Sequence, residues 1–250
     1  MLDQLVANGR CHHIARAVLA CSILVLTAGR TEAQFQAERA IDPHETILEY
    51  GSYRLSVEAE GAPEACDIVL FGYNSRRPGR WTQLTDTVLR VVPHRRHTLI
   101  GSKAGFMFHA ETFFPDLLAE PNIRVELRSI EKGQRTDILG LHFVGNQDRL
   151  HPKCFGVAEE LRDWLNENPS VSLNVIGHVN GADGRKSRAF YRKASVRRAE
   201  VMIEWLVAHG IAEDRLYAQG RGADALLFPD PIYAWQHEAN RRVEIEVIHH

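Results

Sequence analysis

The sequence carries none of the short motifs that mark common enzyme classes. It has no G-x-x-x-x-G-K-[S/T] loop, no G-x-G-x-x-G turn and no C-x-x-C pair, which argues against P-loop nucleotide chemistry, dinucleotide binding and thioredoxin-type redox chemistry. No Ser-His-Asp or Cys-His arrangement, no matched carboxylate pair and no metal-ligand spacing is recognisable. We therefore expect no catalytic residues, no cofactor and no metal, and we find no internal repeat or low-complexity tract.

The sequence also lacks an apolar run long enough for a transmembrane helix. The apolar run near its start, AVLACSILVLTAG from Ala17, is only 13 residues long and follows Arg10, His12, His13 and Arg16. Basic residues, a short apolar stretch and a small residue at Ala33 are typical of a secretory signal peptide, predicted as residues 1–33. An N-terminal anchor, a buried helix and a lipoprotein modified at Cys21 are the alternatives.

Cysteine is scarce, with four in 250 residues. Cleavage after Ala33 would remove Cys11 and Cys21 and leave Cys66 and Cys154 in an oxidising compartment. A disulfide between them and two separate buried thiols are equally compatible with the sequence.

Charge is nearly balanced, with a formal net charge of −2. Seven Lys or Arg nevertheless fall in the fourteen positions from Arg185 to Arg198, without an acid among them. Because the rest of the chain offsets this run, a surface for nucleic acid is disfavoured. The run is predicted to occupy a loop and the first turns of the helix that follows, and a helix N-terminus favours anions. It is therefore interpreted as bordering a pocket for a smaller anion. Most of its members are expected to form a solvated face.

The periodicity changes along the chain. Residues 34–48 are polar and predict a linker, whereas residues 49–132 alternate as strands, as in Tyr53, Leu55 and Val57, and predict an all-β sandwich. From residue 133 to 250, strands predicted at 138–144, 173–176, 215–219 and 242–248 alternate with helical patterns. This order, β-α-β-α-β-β, predicts an α+β chain whose second part is an α/β sandwich, a mixed sheet with helices on one face.

Four separated stretches of the second part resemble one family. They are LGLHFVGNQDRLHP at 139–152, LRDWLNENPSVSLNVIGH at 161–178, RRAEVMIEWLVAHGIAEDRLYAQGRG at 197–222 and NRRVEIEV at 240–247. Their order and spacing resemble the C-terminal peptidoglycan-binding domain of outer-membrane protein A, shared with peptidoglycan-associated lipoprotein and flagellar stator proteins. The resemblance implies that this part binds the diaminopimelate residue of the peptidoglycan stem peptide.

The resemblance also implies the ligand-binding residues. In the family an arginine in Leu-Ser-x-x-Arg-Ala binds the carboxylate, and Ala194–Ala199 matches this motif with Arg198 at the arginine. The family's aspartate for the ammonium follows Gly-His-Thr, where this chain has Asn180. Asp183 has the family's spacing to Arg198, fifteen residues, whereas Asn180 lies eighteen before it; either Asn180 replaced the acid or Asp183 took over its role.

Three further positions complete the predicted site. Tyr191 stands where the family carries a polar Asn, and either lines the pocket or fills core space. Arg241 and Arg242 match an Asn-Arg-Arg strand start with an arginine at the pocket rim, and the strand register decides which of them points inward. His178 is expected to be a packed, structural histidine.

Residues 95–132 resemble the end of a carboxypeptidase regulatory-like, transthyretin-type β-sandwich, a module that binds or spaces and is no peptidase. The combined resemblances predict a non-enzymatic periplasmic protein, associated with the outer membrane or cell wall, that tethers envelope components to peptidoglycan. Envelope proteins are the expected partners of the β-sandwich. The alternative is a degenerate domain that keeps the fold and serves as a protein interaction module, because Asn180 and Tyr191 erode the pocket.

Overall fold

The computed structural model describes residues 51–72, 78–93, 95–115, 121–139, 141, 143, 149–181, 184 and 186–250. The predicted signal peptide (1–33) and linker (34–48), with Cys11 and Cys21, lie outside the described residues, and so does Asp183. The described residues form an α+β fold with three four-stranded sheets, as the sequence predicts for the fold class.

The first part, here called the β-rich module (described residues of 51–130), consists of two four-stranded sheets. In the first sheet β1 pairs antiparallel with β2 and β5 and parallel with β8; the second has the antiparallel order β4-β3-β6-β7. The strands are β1 (Gly51–Ala59), β2 (Ala62–Pro63), β3 (Cys66–Phe71), β4 (Gly79–Leu84), β5 (Asp86–Val91), β6 (His97–Ser102), β7 (His109–Phe113) and β8 (Asn122–Leu127).

The two sheets share one apolar core, supplied by alternate residues of their strands. Leu55 and Val57 of β1 meet Ile123 and Val125 of β8 there, all buried. The second sheet contributes buried residues of β3, β6 and β7, among them Ile68. Period-two burial is the pattern expected of strands with one face on a core, so the alternation read from the sequence is confirmed at these positions.

The second part has the element order β9 (Arg135–Ile138), α1 (Phe155–Glu167), β10 (Ser172–His178), α2 (Arg188–Ala208), β11 (Leu216–Gly222), α3 (Ala234–Ala239) and β12 (Val243–His249). Its sheet has the order β11-β10-β12-β9. β10 runs parallel to β11 and antiparallel to β12, and β12 pairs antiparallel with β9. The predicted mixed sheet with intervening helices is therefore confirmed.

The first strand of this part differs from the prediction of 138–144. The ladder between β9 and β12 covers Arg135–Ile138 only, and Phe143 makes an isolated bridge with Leu150. Leu141 is buried in the core without being part of a strand. At Leu141, burial and not strand pairing explains the apolar character.

Helix α1 lies between two sheets. Its buried residues Val157, Leu161, Trp164 and Leu165 share one core with the sheet of the second part and with Val69 and Ile100 of the β-rich module. Neighbouring residues of β3 and β6 thus face different cores, so these two central strands of the sheet β4-β3-β6-β7 are covered on both faces. A strand buried on both faces reads as a continuous apolar run, which accounts for IVLF at 68–71.

Polar contacts join the two parts along the same surface. The indole Nε1 of Trp164 donates to the Phe106 carbonyl oxygen at 2.8 Å, and the Asn168 side chain accepts from the Gly105 amide at 2.8 Å. Asn168 ends α1, and its side chain also donates to the Trp164 carbonyl oxygen. The residues that stop the helix therefore also attach it to the β-rich module; the division of the chain at residue 133 stays a prediction.

The two described cysteines are separate buried thiols. Cys66 lies in the core of the β-rich module and Cys154 in the core around α1. Burial raises the pKa of the Cys66 thiol to about 12. Of the two alternatives left open by the sequence, the structure has the two separate thiols and no disulfide between them.

Candidate functional site

The predicted site lies where β10 ends against helix α2. Gly177 and Gly220 let the helix approach the strands closely: a Cβ on Gly177 would lie 1.9 Å from the Ser195 carbonyl oxygen, and one on Gly220 would lie 2.4 Å from Ser195 Oγ. Ser195 Oγ donates to the Arg192 carbonyl oxygen and accepts from the Gly222 amide, both at 2.8 Å. This contact fixes the helix three residues before Arg198.

Arg198 places a desolvated cation at the end of β10. Its Nη1 donates to the carbonyl oxygen of His178 at 2.5 Å, and its Cζ lies 5.3 Å from the centre of the Phe143 ring. Burial, and secondarily the charge of Arg241, lowers the pKa of Arg198 to about 10. Among the described residues no carboxylate forms an ion pair with Arg198, so the guanidinium is both desolvated and next to a like charge.

The helix N-terminus does not contribute to this site, contrary to the expectation from the sequence. Helix α2 begins at Arg188, and Ser187 caps it by accepting from the Phe190 amide at 3.2 Å. Arg198 follows the helix start by ten residues, about 15 Å along the axis at 1.5 Å per residue. The dipole effect decays within the first turn, so the positive character here comes from arginine side chains.

The two candidate rim arginines have different environments. Arg242 is only 4% exposed; its Nε forms an ion pair with Asp137 of β9 and its Nη1 donates to the Ala225 carbonyl oxygen at 3.1 Å. Arg241 is partly exposed and close enough to Arg198 to lower its pKa. Arg242 therefore holds the sheet together, whereas Arg241 shares the neighbourhood of Arg198.

Asn180 is part of a polar cluster with residues that follow β11. Its Oδ1 accepts from Nδ2 of the fully buried Asn240 at 3.1 Å, and its Nδ2 lies 2.8 Å from His237 Nδ1. Asn240 also brackets Phe228, accepting from its amide at 2.9 Å and donating to its carbonyl oxygen at 2.7 Å. The amide that stands at the family's aspartate position is thus held in place by the chain itself.

Tyr191 packs against the loop between β10 and α2. Its hydroxyl accepts from the Lys186 amide at 3.1 Å. A Cβ at position 181 would lie 2.6 Å from the Ala223 Cβ and 3.0 Å from Tyr191 Cε2, so Ala223 and Tyr191 together crowd that position. The ring is partly exposed. Tyr191 therefore contacts Gly181 and Lys186, while Asp183 lies outside the described residues.

Most described members of the basic run form a solvated or paired face. Arg188 pairs with Asp224 at 2.8 Å, and Arg197 pairs with Glu204 at 2.5 Å. Arg192 and Lys193 are exposed. Within the described part of the run, Arg198 differs from its neighbours because burial lowers the pKa of its guanidinium.

His178 is structural, as expected from the sequence. Its ring is buried, and its Nε2 lies 3.1 Å from Glu244 Oε2 on β12. The His178 hydrogen bond is the main cause that lowers the pKa of the Glu244 carboxyl below its ordinary 4.5. The side chain thus ties β10 to β12 while its backbone carbonyl orients Arg198.

Two neighbours of the site, Phe143 and His237, carried no sequence signal that assigned them to it, whereas Asn240 is the first residue of the Asn-Arg-Arg motif. Phe143 lies in the stretch LGLHFVGNQDRLHP at 139–152, but nothing in that stretch predicts a contact with a cation. His237 and Asn240 lie in and just after a six-residue helix, too short to leave a clear periodic pattern. Their roles depend on long-range packing.

Two kinds of feature are absent from the described residues. No group of three or more His, Cys, Asp or Glu side chains is arranged to hold a metal ion among them. None of the helices in the described ranges combines the length and apolar character that a membrane crossing requires.

Comparison with known proteins gave remote similarities. No protein-family model matches the chain. It is 29% identical over 109 residues to outer membrane porin F of Pseudomonas fluorescens, which covers 44% of this chain and 32% of the porin. The chain thus spans about a third of the length of the curated relative it matches.

Solved structures also resemble part of the chain. A MotB-like protein from Desulfovibrio vulgaris is 23% identical, with 46% of this chain and 75% of that chain covered and a TM-score of 0.39. The peptidoglycan-associated lipoprotein of Burkholderia pseudomallei is 14% identical, with 44% of this chain and 88% of that chain covered and a TM-score of 0.38. The cell wall anchor of the T6SS of Pseudomonas aeruginosa is 23% identical, with 46% of this chain and 81% of that chain covered and a TM-score of 0.38. Scores of this size support no conclusion about function, which depends on the residues described above.

Proposed function

We propose that this protein is a non-catalytic component of the periplasm that binds peptidoglycan through the diaminopimelate group of the stem peptide. It would connect envelope components, bound through the β-rich module, to the cell wall. The similarity to an outer membrane porin supports the envelope location. The motif match at Arg198 supports the ligand.

The environment of Arg198 is the observation that carries the proposal. A cation taken out of water is costly unless a counter-charge compensates it. Among the described residues, Arg198 has a backbone carbonyl, an aromatic ring and a second arginine as neighbours. A carboxylate supplied by a ligand would provide that counter-charge. The planar guanidinium fits a carboxylate in a two-point contact, and a hydrogen bond of this charged kind contributes about 1.5–3 kcal/mol.

The ammonium of the same ligand group requires an oxygen opposite Arg198. Asn180 has one, but that oxygen already accepts from Asn240. A neutral amide contributes about 1 kcal/mol to such a bond, against about 1.5–3 kcal/mol for a carboxylate. Asp183 is the charged alternative.

Retention on purified peptidoglycan sacculi tests the proposal. Arg198→Ala should weaken binding by about ten- to a hundredfold, the equivalent of losing 1.5–3 kcal/mol. Arg197→Ala is the matched control, because the neighbouring arginine is engaged with Glu204 on the outer side of the helix. Equal retention of wild type and Arg198→Ala would refute the site.

The choice of stem peptide tests the finer claim. A stem with lysine in place of diaminopimelate keeps the side-chain ammonium but lacks the second carboxylate. Soluble muropeptides of the two kinds should therefore differ about tenfold or more for the wild type. The difference should vanish in Arg198→Ala, and equal affinities for both stems in the wild type would contradict a role for the carboxylate.

Reciprocal substitutions assign the ammonium partner. If Asp183 binds it, Asp183→Asn should lose affinity and Asn180→Asp should change little. If Asn180 stands at a decayed position, Asn180→Asp should gain affinity. Weakening by Asn180→Asp would instead show that the cluster with Asn240 and His237 is needed as it is.

A second candidate function has one observation in its favour. The amide of Asn180 is already hydrogen bonded within the chain, as a pocket no longer used for ligands would be. In that case the second part serves as a protein interaction module, and sacculi would retain wild type and Arg198→Ala equally poorly. Catalysis is no part of either proposal, and release of muropeptides during the same incubation would contradict both.

A further inference from the structure

Helix α3, which carries residues next to the proposed site, is held from the opposite side by the β-rich module. We propose that Arg96 and Phe114 of that module are positioning residues for the site, acting through α3 on Asn180 and Arg241. This inference rests on the proposed function. It makes the β-rich module a part of the ligand-binding machinery as well as a partner-binding module.

The helix is too short to keep its place alone. It spans Ala234–Ala239, six residues, whereas isolated helices below about 12–15 residues are marginal in water. Gln236 supports its start by accepting from the amides of Tyr233 at 3.0 Å and Ile232 at 2.6 Å. Such local capping favours helix formation, but the orientation of so short a helix depends on its tertiary contacts.

Two contacts come from the β-rich module. Arg96, just before β6, donates from Nη1 to Glu238 Oε2 at 2.8 Å, and the two side chains are 24% and 35% exposed. Phe114, just after β7, meets the ring of Trp235 edge to face at 6.1 Å. Trp235 also packs against Phe228, with ring centres 5.0 Å apart. A partly buried ion pair and an aromatic contact thus fix two successive turns of the helix.

The other side of α3 meets the proposed site. His237 Nδ1 lies 2.8 Å from Asn180 Nδ2, and Asn240, directly after the helix, donates to Asn180 Oδ1. The Arg241 amide donates to the Glu238 carbonyl oxygen at 2.8 Å. Glu238 therefore accepts from Arg96 with its side chain and from Arg241 with its backbone. A shift of α3 would move Asn180 and Arg241 together.

The full mature chain provides the test, with a diaminopimelate-containing muropeptide as probe. Arg96→Gln and Phe114→Leu remove one contact each, and Arg96→Lys restores the charge. Arg54→Gln is the matched control, because Arg54 pairs with Asp86 within the β-rich module. Affinity for the probe and hydrogen exchange of the α3 amides are measured for each variant.

We expect Arg96→Gln to weaken probe binding about two- to fivefold, the range for one partly exposed ion pair. Amide exchange in α3 should accelerate in the same variant. Arg96→Lys should recover most of both effects, and Arg54→Gln should leave both unchanged. Phe114→Leu should act in the same direction, and its unfolding temperature shows whether the effect is local.

Two results would overturn the inference. One is unchanged α3 exchange in both Arg96→Gln and Phe114→Leu with the fold intact. The other is faster α3 exchange without a change in probe affinity, which would show that α3 is held but does not position the site. If Arg198→Ala binds the probe like the wild type, the proposed function itself has failed, and α3 exchange still decides whether the module holds the helix.

Discussion

Substitution of Trp164 should destabilise both parts of the chain together. The indole is fully buried in α1, donates to the Phe106 carbonyl oxygen at 2.8 Å and packs against Phe108 at 5.9 Å. Trp164→Phe keeps an aromatic ring but removes the donor. The carbonyl oxygen left without its partner costs about 1–3 kcal/mol, to which the lost ring volume adds.

The expected result is a fall in unfolding temperature of about 2–12 °C, since 1 kcal/mol corresponds to about 2–4 °C for 150–250 residues. Hydrogen exchange should report the loss equally in β3 and β6 of the β-rich module and in β10 and β12. The reason is that α1 lies in one core with both sheets. The assay thus measures how far the loss spreads as well as its size.

Trp205→Phe serves as the comparison, because Trp205 is a partly exposed tryptophan on α2 that stacks on His209 at 3.8 Å. Trp205→Phe should lower the unfolding temperature less than Trp164→Phe and leave the hydrogen exchange of β3 and β6 unchanged. The reasoning is refuted if Trp164→Phe lowers protection in β10 and β12 while β3 and β6 keep theirs. In that case the two parts unfold independently, as the predicted division at residue 133 would have them.

Two buried carboxyls predict opposite pH dependences. The His178 hydrogen bond lowers the pKa of Glu244, so its stabilisation is present above the unfolded value of about 4.5 and is lost as pH falls through the folded pKa. Urea unfolding from pH 7 to 3 should therefore show the advantage of wild type over Glu244→Gln shrinking, and a constant difference would count against the assignment. Burial raises the pKa of Glu160, beyond what its ion pair with Arg80 offsets, so its ionisation destabilises the fold as pH rises above about 4.5. The free energy of unfolding of Glu160→Gln should therefore rise relative to that of wild type between pH 4 and 7, and a fall over that range would contradict the raised pKa.

The elements that the sequence predicted well are those with one-sided burial. In α2 the positions Ala199, Met202 and Leu206 are buried at helical spacing, and Gly210 ends the helix region with a φ of +98°. Here local periodicity and tertiary packing agree, so the pattern was sufficient. The apolar stretch after Ile138 led to the prediction of too long a strand, because a residue buried in the core outside a strand is as apolar as one buried within a strand.

The candidate site divides in the same way. Arg198 could be found from its motif, and the close approach of α2 to β10 is permitted by Gly177, a glycine visible in the sequence. The start of α2 ten residues earlier could not be found, because the basic run contains no apolar periodicity to mark it. The contacts of Asn180 with His237 and Asn240 span 57 and 60 residues, a range at which a single sequence carries no pairing signal.

In the sheet β4-β3-β6-β7 the central strands β3 and β6 are largely shielded from water on both faces, since one face of these strands packs in the core of the β-rich module and the other packs in the core around α1. A fragment starting near Gly133 would expose to solvent the side of α1 that includes Trp164, along with its unpaired indole donor. Engineers who wish to graft the second part onto another carrier must therefore bring that sheet along, or redesign the exposed side of the helix with polar residues.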